Sequence, residues 1–294
     1  MRFRAEVNNP IGLYKLCQTL EKIGSDCIIC FSPDYIRFIV YSEYGQAHSI
    51  QTWVKIVPQS LFSNYRVGSQ EGNNINFEVS IEHFLRIARI GQQATDIRIA
   101  LKSKNNCPCL EFNMTTDTVV GTTAPVTMHL FVKQVREEQL ASIKEPTALN
   151  TPSAFICLPE TTELKQSAER LKSLSKHLKL SVNLNGVMKI ETDSDLCVCE
   201  LEYSKLETPK LQGHPMEDRD KFASVRLLSD DFLHFLSCYH LNPSNVICAI
   251  IDEVQVAFYV YLNLEEYQTS GHSVLRQANN QLSIMTCRLP VYSI

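Results

Sequence analysis

Positive charge is not in surplus here. The 28 lysines and arginines are outnumbered by 32 aspartates and glutamates, for a formal net charge of −4. Global charge therefore gives no ground for nucleic-acid binding. Glycine is scarce, with ten in 294 residues. Neither G-x-G-x-x-G nor G-x-x-x-x-G-K-S/T occurs, so the glycine-rich phosphate cradles are missing. H-E-x-x-H is absent too. No apolar run approaches the ~18 residues of a membrane helix, and the opening MRFRAEVNN lacks the apolar stretch of a signal peptide. A soluble intracellular protein with no membrane partner is expected.

Cysteine is plentiful but unpatterned. Eleven is an odd number, without the spacing of a disulfide scaffold. Most lie in apolar runs (Cys27, Cys30, Cys157, Cys197, Cys199, Cys248, Cys287), which reads as buried, reduced thiols. Cys27-x-x-Cys30 has redox spacing, but in a strand positions i and i+3 point to opposite faces. Cys107-x-Cys109 and Cys197-x-Cys199 can each share a strand face, with packing the default. No Ser/His/Asp set can be assembled, so no catalytic residue, metal site or cofactor is assigned.

What is present is a globular composition, 44% hydrophobic, on a chain long enough for two domains. RFRAEVN alternates as a strand. Asn8 or Asn9 can cap a helix with Pro10 at its first position, running to about Ile23 before Gly24. Leu13, Leu16, Leu20 and Ile23 make its apolar stripe. A β-rich run follows: CIICFS, a turn at Ser32-Pro33-Asp34, IRFIVYS, SIQTWVKI and NINFEVS, with 58–65 as a connection. Ser80 is a candidate cap for the helix 81–93, with Ile81, Phe84, Leu85 and Ala88 on its apolar face. A hairpin turning near Asn105-Asn106 and a further strand close the half.

Residues 135–152, VREEQLASIKEPTALNTP, break the pattern and read as an interdomain linker between domains 1–134 and 153–294. The second half repeats the order. Strand AFICLP leads into an amphipathic helix, 162–179, with Leu164, Ala168, Leu171, Leu174 and Leu178 on one face. Lys165, Glu169, Lys172 and Lys176 form a ridge elsewhere, with Arg170 beside it. A hairpin with an Asn185-Gly186 type I′ turn, a strand, a polar loop (204–221), a helix capped by Ser229, another hairpin, a second polar loop (265–281) and a last strand follow. Pro10 maps to Pro159, Ser80 to Ser229 and Asp96 to Asn245, each 149 residues on. Each half reads strand–helix–strands–helix–hairpin–strand. That is an α+β fold of two similar domains, each an antiparallel sheet with two helices on one face. The four expected helices sum to +3 against −7 for the rest of the chain. Helices lining one surface would make it mildly basic, as sequence-blind phosphate contact requires.

Two structurally similar domains of this kind resemble the PCNA-like sliding-clamp fold. Particular residues narrow the likeness: Met1-Arg-Phe-Arg-Ala, Lys22-Ile-Gly with Cys27, Ser32-Pro33-Asp34, Trp53, Pro108-Cys109-Leu110 and Ile143-Lys144-Glu145-Pro146. In their order they resemble the Hus-type subunit of the nine-one-one DNA damage checkpoint clamp. The chain departs from that family around 204–221 and 265–281.

The resemblance implies a non-enzymatic subunit of a heterotrimeric ring completed by two Rad-type subunits. An ATP-dependent clamp loader would place the ring around double-stranded DNA at damage sites. There it would support checkpoint kinase activation and recruit DNA repair enzymes. Nuclear localisation is implied, with a cytoplasmic pool allowed. Lys15, Lys22, Arg86, Arg89, Lys165, Arg170, Lys172 and Lys176 would line the DNA channel. Subunit edges would lie at Leu110, Glu111, Phe112 and Met114 and at Val198, Cys199, Leu201 and Tyr203. Partner peptides would dock near Val40 and Tyr41, beneath the linker. Two alternatives stay open: a homotrimeric replication clamp, which an acidic fourth helix disfavours, and a cysteine-dependent enzyme, which needs one thiol of depressed pKa.

Overall fold

A computed structural model describes residues 1–40, 49–69, 73–117, 122–143, 152–194, 197–209, 219–264 and 283–292. The chain forms two compact units: Met1–Tyr41, Trp53–Lys144 and Asn263–Ile284 in the first, Ser42–Thr52, Glu145–Leu262 and Met285–Ile294 in the second.

The first unit contains β1 (Arg2–Val7), α1 (Pro10–Glu21), β2 (Asp26–Phe31), β3 (Ile36–Val40), β4 (Gln51–Ile56), β5 (Phe62–Gly68), β6 (Ile75–Ser80), α2 (Ile81–Gly91), β7 (Ala94–Lys104), β8 (Cys107–Asp117), β9 (Thr123–Phe131), β10 (Lys133–Gln134) and α3 (Glu137–Ser142). Its strands divide between two orders, β5-β1-β7-β8-β9 and β10-β6-β2-β3-β4. The start of α1 follows from one side chain. Asn9 is fully buried, and its Oδ1 accepts from the Gly12 amide at 2.8 Å. Its Nδ2 donates to the carbonyl of Leu264 at 2.6 Å and that of Ser60 at 3.2 Å. Pro10 follows, where a missing N–H costs nothing. Leu13, Leu16, Cys17 and Leu20 of α1 are buried, as are Ile81, Phe84, Leu85, Ile87 and Ala88 of α2. The helices pack on the inner face of the first sheet, where Leu13, Ala88, Ile97, Phe112 and Met114 meet. The rings of Phe84 and Phe112 lie 6.2 Å apart. Asn105 and Asn106, at φ 53° and 60°, close β7 onto β8 in a two-residue turn.

The second unit contains β11 (Ala154–Cys157), α4 (Thr161–Lys172), β12 (His177–Val182), β13 (Met188–Asp193), β14 (Val198–Tyr203), β15 (Ala223–Leu228), α5 (Ser229–Leu236), β16 (Asn245–Ile251), β17 (Gln255–Leu262) and β18 (Ser283–Leu289). Its orders are β14-β13-β12-β15 and β18-β17-β16-β11. Beside β4-β3-β2-β6 and β9-β8-β7-β1 these are the same two arrangements, so the repeat expected from the sequence is present in eight strands of each unit, with β5 and β10 added in the first. Phe232, Phe235 and Phe258 cluster at its centre, with Phe235 and Phe258 stacked 4.0 Å apart and Phe232 tilted against both.

Several local expectations are corrected. The helix expected over 162–179 stops at Lys172 with Ser173 as its C-cap. Ser173 Oγ turns back to the Arg170 carbonyl at 2.6 Å, the competition by which serine weakens a helix. Leu178 is buried in β12, which pairs with β13 and β15, and Leu174 is 41% exposed off the helix. Two-fold alternation from Leu178 onward wins over the helical period. α4 begins at Thr161, within one residue of the expected start, after Glu160. Ser229 lies inside α5, its hydroxyl donating to the Ser175 carbonyl at 3.0 Å, so it is not the cap. Ser80 holds the cap position of α2 without a side-chain bond. The turn at Asn185-Gly186 is a longer loop, 183–187. Asn183 Oδ1 accepts from the amides of Asn185 and Val187, and only Gly186 has positive φ, 82°. Of the short helical or looped connection expected over 58–65, Pro58–Ser60 do form a single helical turn, but from Phe62 the chain is β5, whose polar FSNYRVG hides its alternation. Within the expected linker, α3 packs Leu140 against Ile28, Cys30, Ile39, Trp53 and Val135. Loop 265–281 and residues 210–218 of the loop 204–221 lie outside the described residues.

Candidate nucleic-acid interface

With the observed limits, α1 is neutral, α2 and α4 each carry one net positive charge, and α5 carries two negative ones. The expected helical surplus of +3 therefore vanishes. Part of it moves to the segments following α1 and α4, with Lys22 at the C-cap of α1 and Lys176 in the connection to β12. Lys179 belongs to β12 and pairs with Glu191 at 3.4 Å.

The eight candidate cations differ in availability. Lys15 is half-buried, and burial lowers its pKa. Lys22 pairs with Glu21 at 3.0 Å, and Arg86 with Glu82 on the same helix. Lys165 lies 3.6 Å from Glu169 and 4.4 Å from the centre of the Tyr239 ring. Lys172 bridges to Asp230, tying α4 to α5. Arg89, Arg170 and Lys176 are exposed and have no carboxylate in ion-pair range among the described residues. Exposed pairs are worth only ~0–1 kcal/mol, so a phosphate can compete for the paired cations. Lys15, Lys22, Arg86 and Arg89 belong to the packed α1–α2 pair of the first unit and the C-cap of α1, and Lys165, Arg170, Lys172 and Lys176 to α4 of the second and the connection after it.

The expected sheet edges fare unequally. β14 is an edge strand, paired only with β13 in its sheet. Val198 is 73% exposed there, while Cys199, Leu201 and Tyr203 face inward, and the Tyr203 hydroxyl lies 3.2 Å from Ser167 Oγ. β8 is not an edge. It pairs with β7 on one side and β9 on the other, and Leu110, Phe112 and Met114 are buried against the helices. Glu111 points to the other face, toward His129 at 3.5 Å. Among the described residues the outer strands of that sheet are β5 and β9, and the one beside β8 is β9. Pro125 lies on it, at the kind of strand position that tolerates a missing donor. Pro125 in TAPVTMHLF was the signal that could have identified the edge.

Val40 is 2% exposed, packed over Gly24, and offers no open surface to a peptide. Tyr41 lies outside the described residues. The apolar face beneath the linker is covered by Leu140 and Ile143.

All eleven cysteines are free, and no metal-holding group of His, Cys, Asp and Glu occurs among the described residues. Cys107 and Cys197 are exposed and Cys157 and Cys199 half-buried, contrary to the expectation of burial for the last three. Burial pushes the thiol of Cys30 up to about 11 and that of Cys287 up to about 12, and raises Cys17, Cys27, Cys238 and Cys248 likewise. That is the reverse of the activation a nucleophile needs.

Comparison with known proteins agrees with this architecture. The chain is 28% identical over 272 residues to the checkpoint protein hus1 of Schizosaccharomyces pombe, covering 89% of this chain and 93% of that one. It is 24% identical over 266 residues to the human checkpoint protein HUS1, covering 88% and 94%. The crystal structure of the proliferating cellular nuclear antigen of Entamoeba histolytica superposes with a TM-score of 0.69 at 11% identity, over 99% of both chains, which shows the PCNA-like fold. The model of the Hus1-like protein family matches residues 1–276, and the chain belongs to that family.

Proposed function

We propose that this chain is a non-enzymatic subunit of a DNA damage checkpoint clamp: one of three different subunits in a ring around double-stranded DNA, completed by two Rad-type chains. The observation that carries the reading is the doubled unit, in which the same strand order backs a helix pair twice, in a chain of this family. A ring binds by topology, so loose cationic contacts suffice. Arg89, Arg170 and Lys176, with no competing carboxylate at hand, are the residues to bear most of the phosphate contact. The edges β9 and β14 offer unpaired backbone for neighbouring subunits. Residues 1–134 and 153–294 serve as the clamp domains and 135–152 as their connector. A nuclear location, an ATP-dependent loader and docked repair enzymes complete the reading.

Light scattering tests it, on the chain alone and after co-expression with two Rad-type subunits. A monomer alone and a 1:1:1 complex together are expected. A homotrimer would favour a replication clamp instead, but three copies of acidic α5 fit poorly around DNA. In the assembled ring, the triple variant Arg89→Glu, Arg170→Glu, Lys176→Glu should lose retention on closed circular DNA. Unchanged retention by the folded variant would remove these residues from the channel.

A further inference from the structure

A second basic surface lies on the opposite side of the first sheet. Arg4 of β1 is paired directly with Arg66 of β5 and with Ala100 of β7. Strand alternation therefore sets Arg2, Arg4, Arg66, Arg98, Lys102 and Lys104 on one face. Phe3, Ala5, Ile97 and Ile99 fill the other, toward the helices. All six cations are exposed. The carboxylates registered on this face are Glu6, Glu111 and, at the far end of β8, Asp117. Glu6 lies 4.0 Å from Arg98 and accepts from Asn64 at 2.7 Å. Glu111 accepts from Asn113 at 2.9 Å and faces His129, and the Asn113 hydrogen bond, the nearby charge of Lys102 and His129 together hold its pKa down. Lys104 sits 3.2 Å from His129 Nδ1. Arg2, Arg4, Arg66 and Lys102 have no carboxylate within ion-pair range among the described residues.

Like charges set opposite each other on neighbouring strands cost stability. The fold does not demand them, because the equivalent strands β11 and β16 of the second unit carry no lysine or arginine. An anion from outside relieves the repulsion. The cations occupy three adjacent strands and on β7 run from Arg98 to Lys104, a strip roughly 10 Å by 20 Å. Ala100 lies between them, with Asn113 and Thr127 beyond β7 on β8 and β9 and no apolar pocket among the cations themselves; the groove at Phe131, with Pro108 and Val132, lies at the strip's edge. At the rim, Phe131 is 56% exposed, in line with Cys109 and Lys102 across the sheet. A strip of cations beside an open aromatic ring suits a nucleic acid whose bases are free to stack. A duplex keeps its bases stacked internally and has no use for the ring.

We propose that the solvent face of β1, β5 and β7, rimmed by Phe131, binds single-stranded DNA, separately from the helix surfaces. The inference does not depend on ring closure.

The test is fluorescence anisotropy of the full chain alone with a labelled, circular oligothymidylate, which no open chain can encircle. Binding should weaken with salt, with a log–log slope of roughly −3 for four or five phosphates. The triple variant R4E/R66E/K102E should lose at least about tenfold in affinity. The milder Arg4→Gln, Arg66→Gln pair should lose less and guards against misfolding, which thermal unfolding checks. Phe131→Ala should weaken single-strand binding about tenfold and leave duplex binding unchanged. Arg170→Glu with Lys176→Glu, on the helix surface, should leave binding of the circular oligothymidylate unchanged. Full affinity in the folded triple variant overturns the proposal. So does loss of binding through the α4 variant alone, or equal displacement by duplex with no effect of Phe131→Ala. Failure of subunit co-assembly would count against the clamp reading and leave this measurement intact.

Discussion

β1 and β11 occupy the same place in the two units, as do β7 and β16. Yet β1 and β7 carry five lysines and arginines, and β11 and β16 carry none. The helices diverge as well. α2 presents Arg86 and Arg89, whereas α5, in the same place, presents Asp230 and Asp231, one of them bound to Lys172 of α4. The buried faces keep one pattern throughout, with Leu16, Phe84, Leu171 and Phe235 under their helices. Apolar alternation sets the topology, and charge on the solvent side is free to specialise each copy.

That contrast can be broken at its strongest point first. Phe235 is fully buried between Phe232 and Phe258, while Phe84 retains 6% exposure. Phe235→Ala should cost about 3–5 kcal/mol in chemical denaturation and Phe84→Ala should fall at the low end of that range. Equal costs would mean the two cores are packed alike despite their different aromatic partners.

Gly186 has no counterpart in the first unit. A Cβ there would come within 2.3 Å of the Leu206 carbonyl oxygen, at a φ of 82°. Gly186→Ala should destabilise the protein by roughly 1–3 kcal/mol, read as a lowered unfolding midpoint. An unchanged midpoint would show that the 183–187 loop yields.

The helix starts differ next. Asn9 caps α1 through its side chain, whereas Glu160 before α4 makes no capping bond. Asn9→Ala should cost about 1–2 kcal/mol and Glu160→Ala nearly nothing. Matching losses would overturn the asymmetry.

The smallest effect is one of pH. Burial, Arg226 and Lys176 lower the pKa of His177 below its ordinary 6.5. Below that value the unfolded chain takes up a proton the folded chain refuses, so this contribution is lost as pH falls from about 7 toward 5. His177→Gln should flatten that part of the stability profile in denaturant titrations at stepped pH. An unaltered profile would assign the acid sensitivity to other groups.

Much of the architecture was legible in the residues. Asn9-Pro10, the apolar faces of α1 and α2, the Asn105-Asn106 turn and the doubled order all follow from local chemistry. So did β14, an alternating strand followed by a polar segment. The end of α4 was not legible, because Ser173–Lys176 suits a helix or a turn, and pairing of β12 with β13 and β15 decided it. Neither was the position of β8. Leu110–Met114 alternates as an edge or an internal strand would, and only the placing of β9 beside it distinguishes them.

The sequence by itself determined which residues turn inward, because alternation at two or 3.6 residues is a property of the chain alone. It also determined the two-fold repeat of elements and the family. Tertiary structure alone decided which strands are edges and which cations gather on one surface. Arg4, Arg66 and Lys102 are far apart along the chain and become neighbours only through strand register, which depends on long-range pairing.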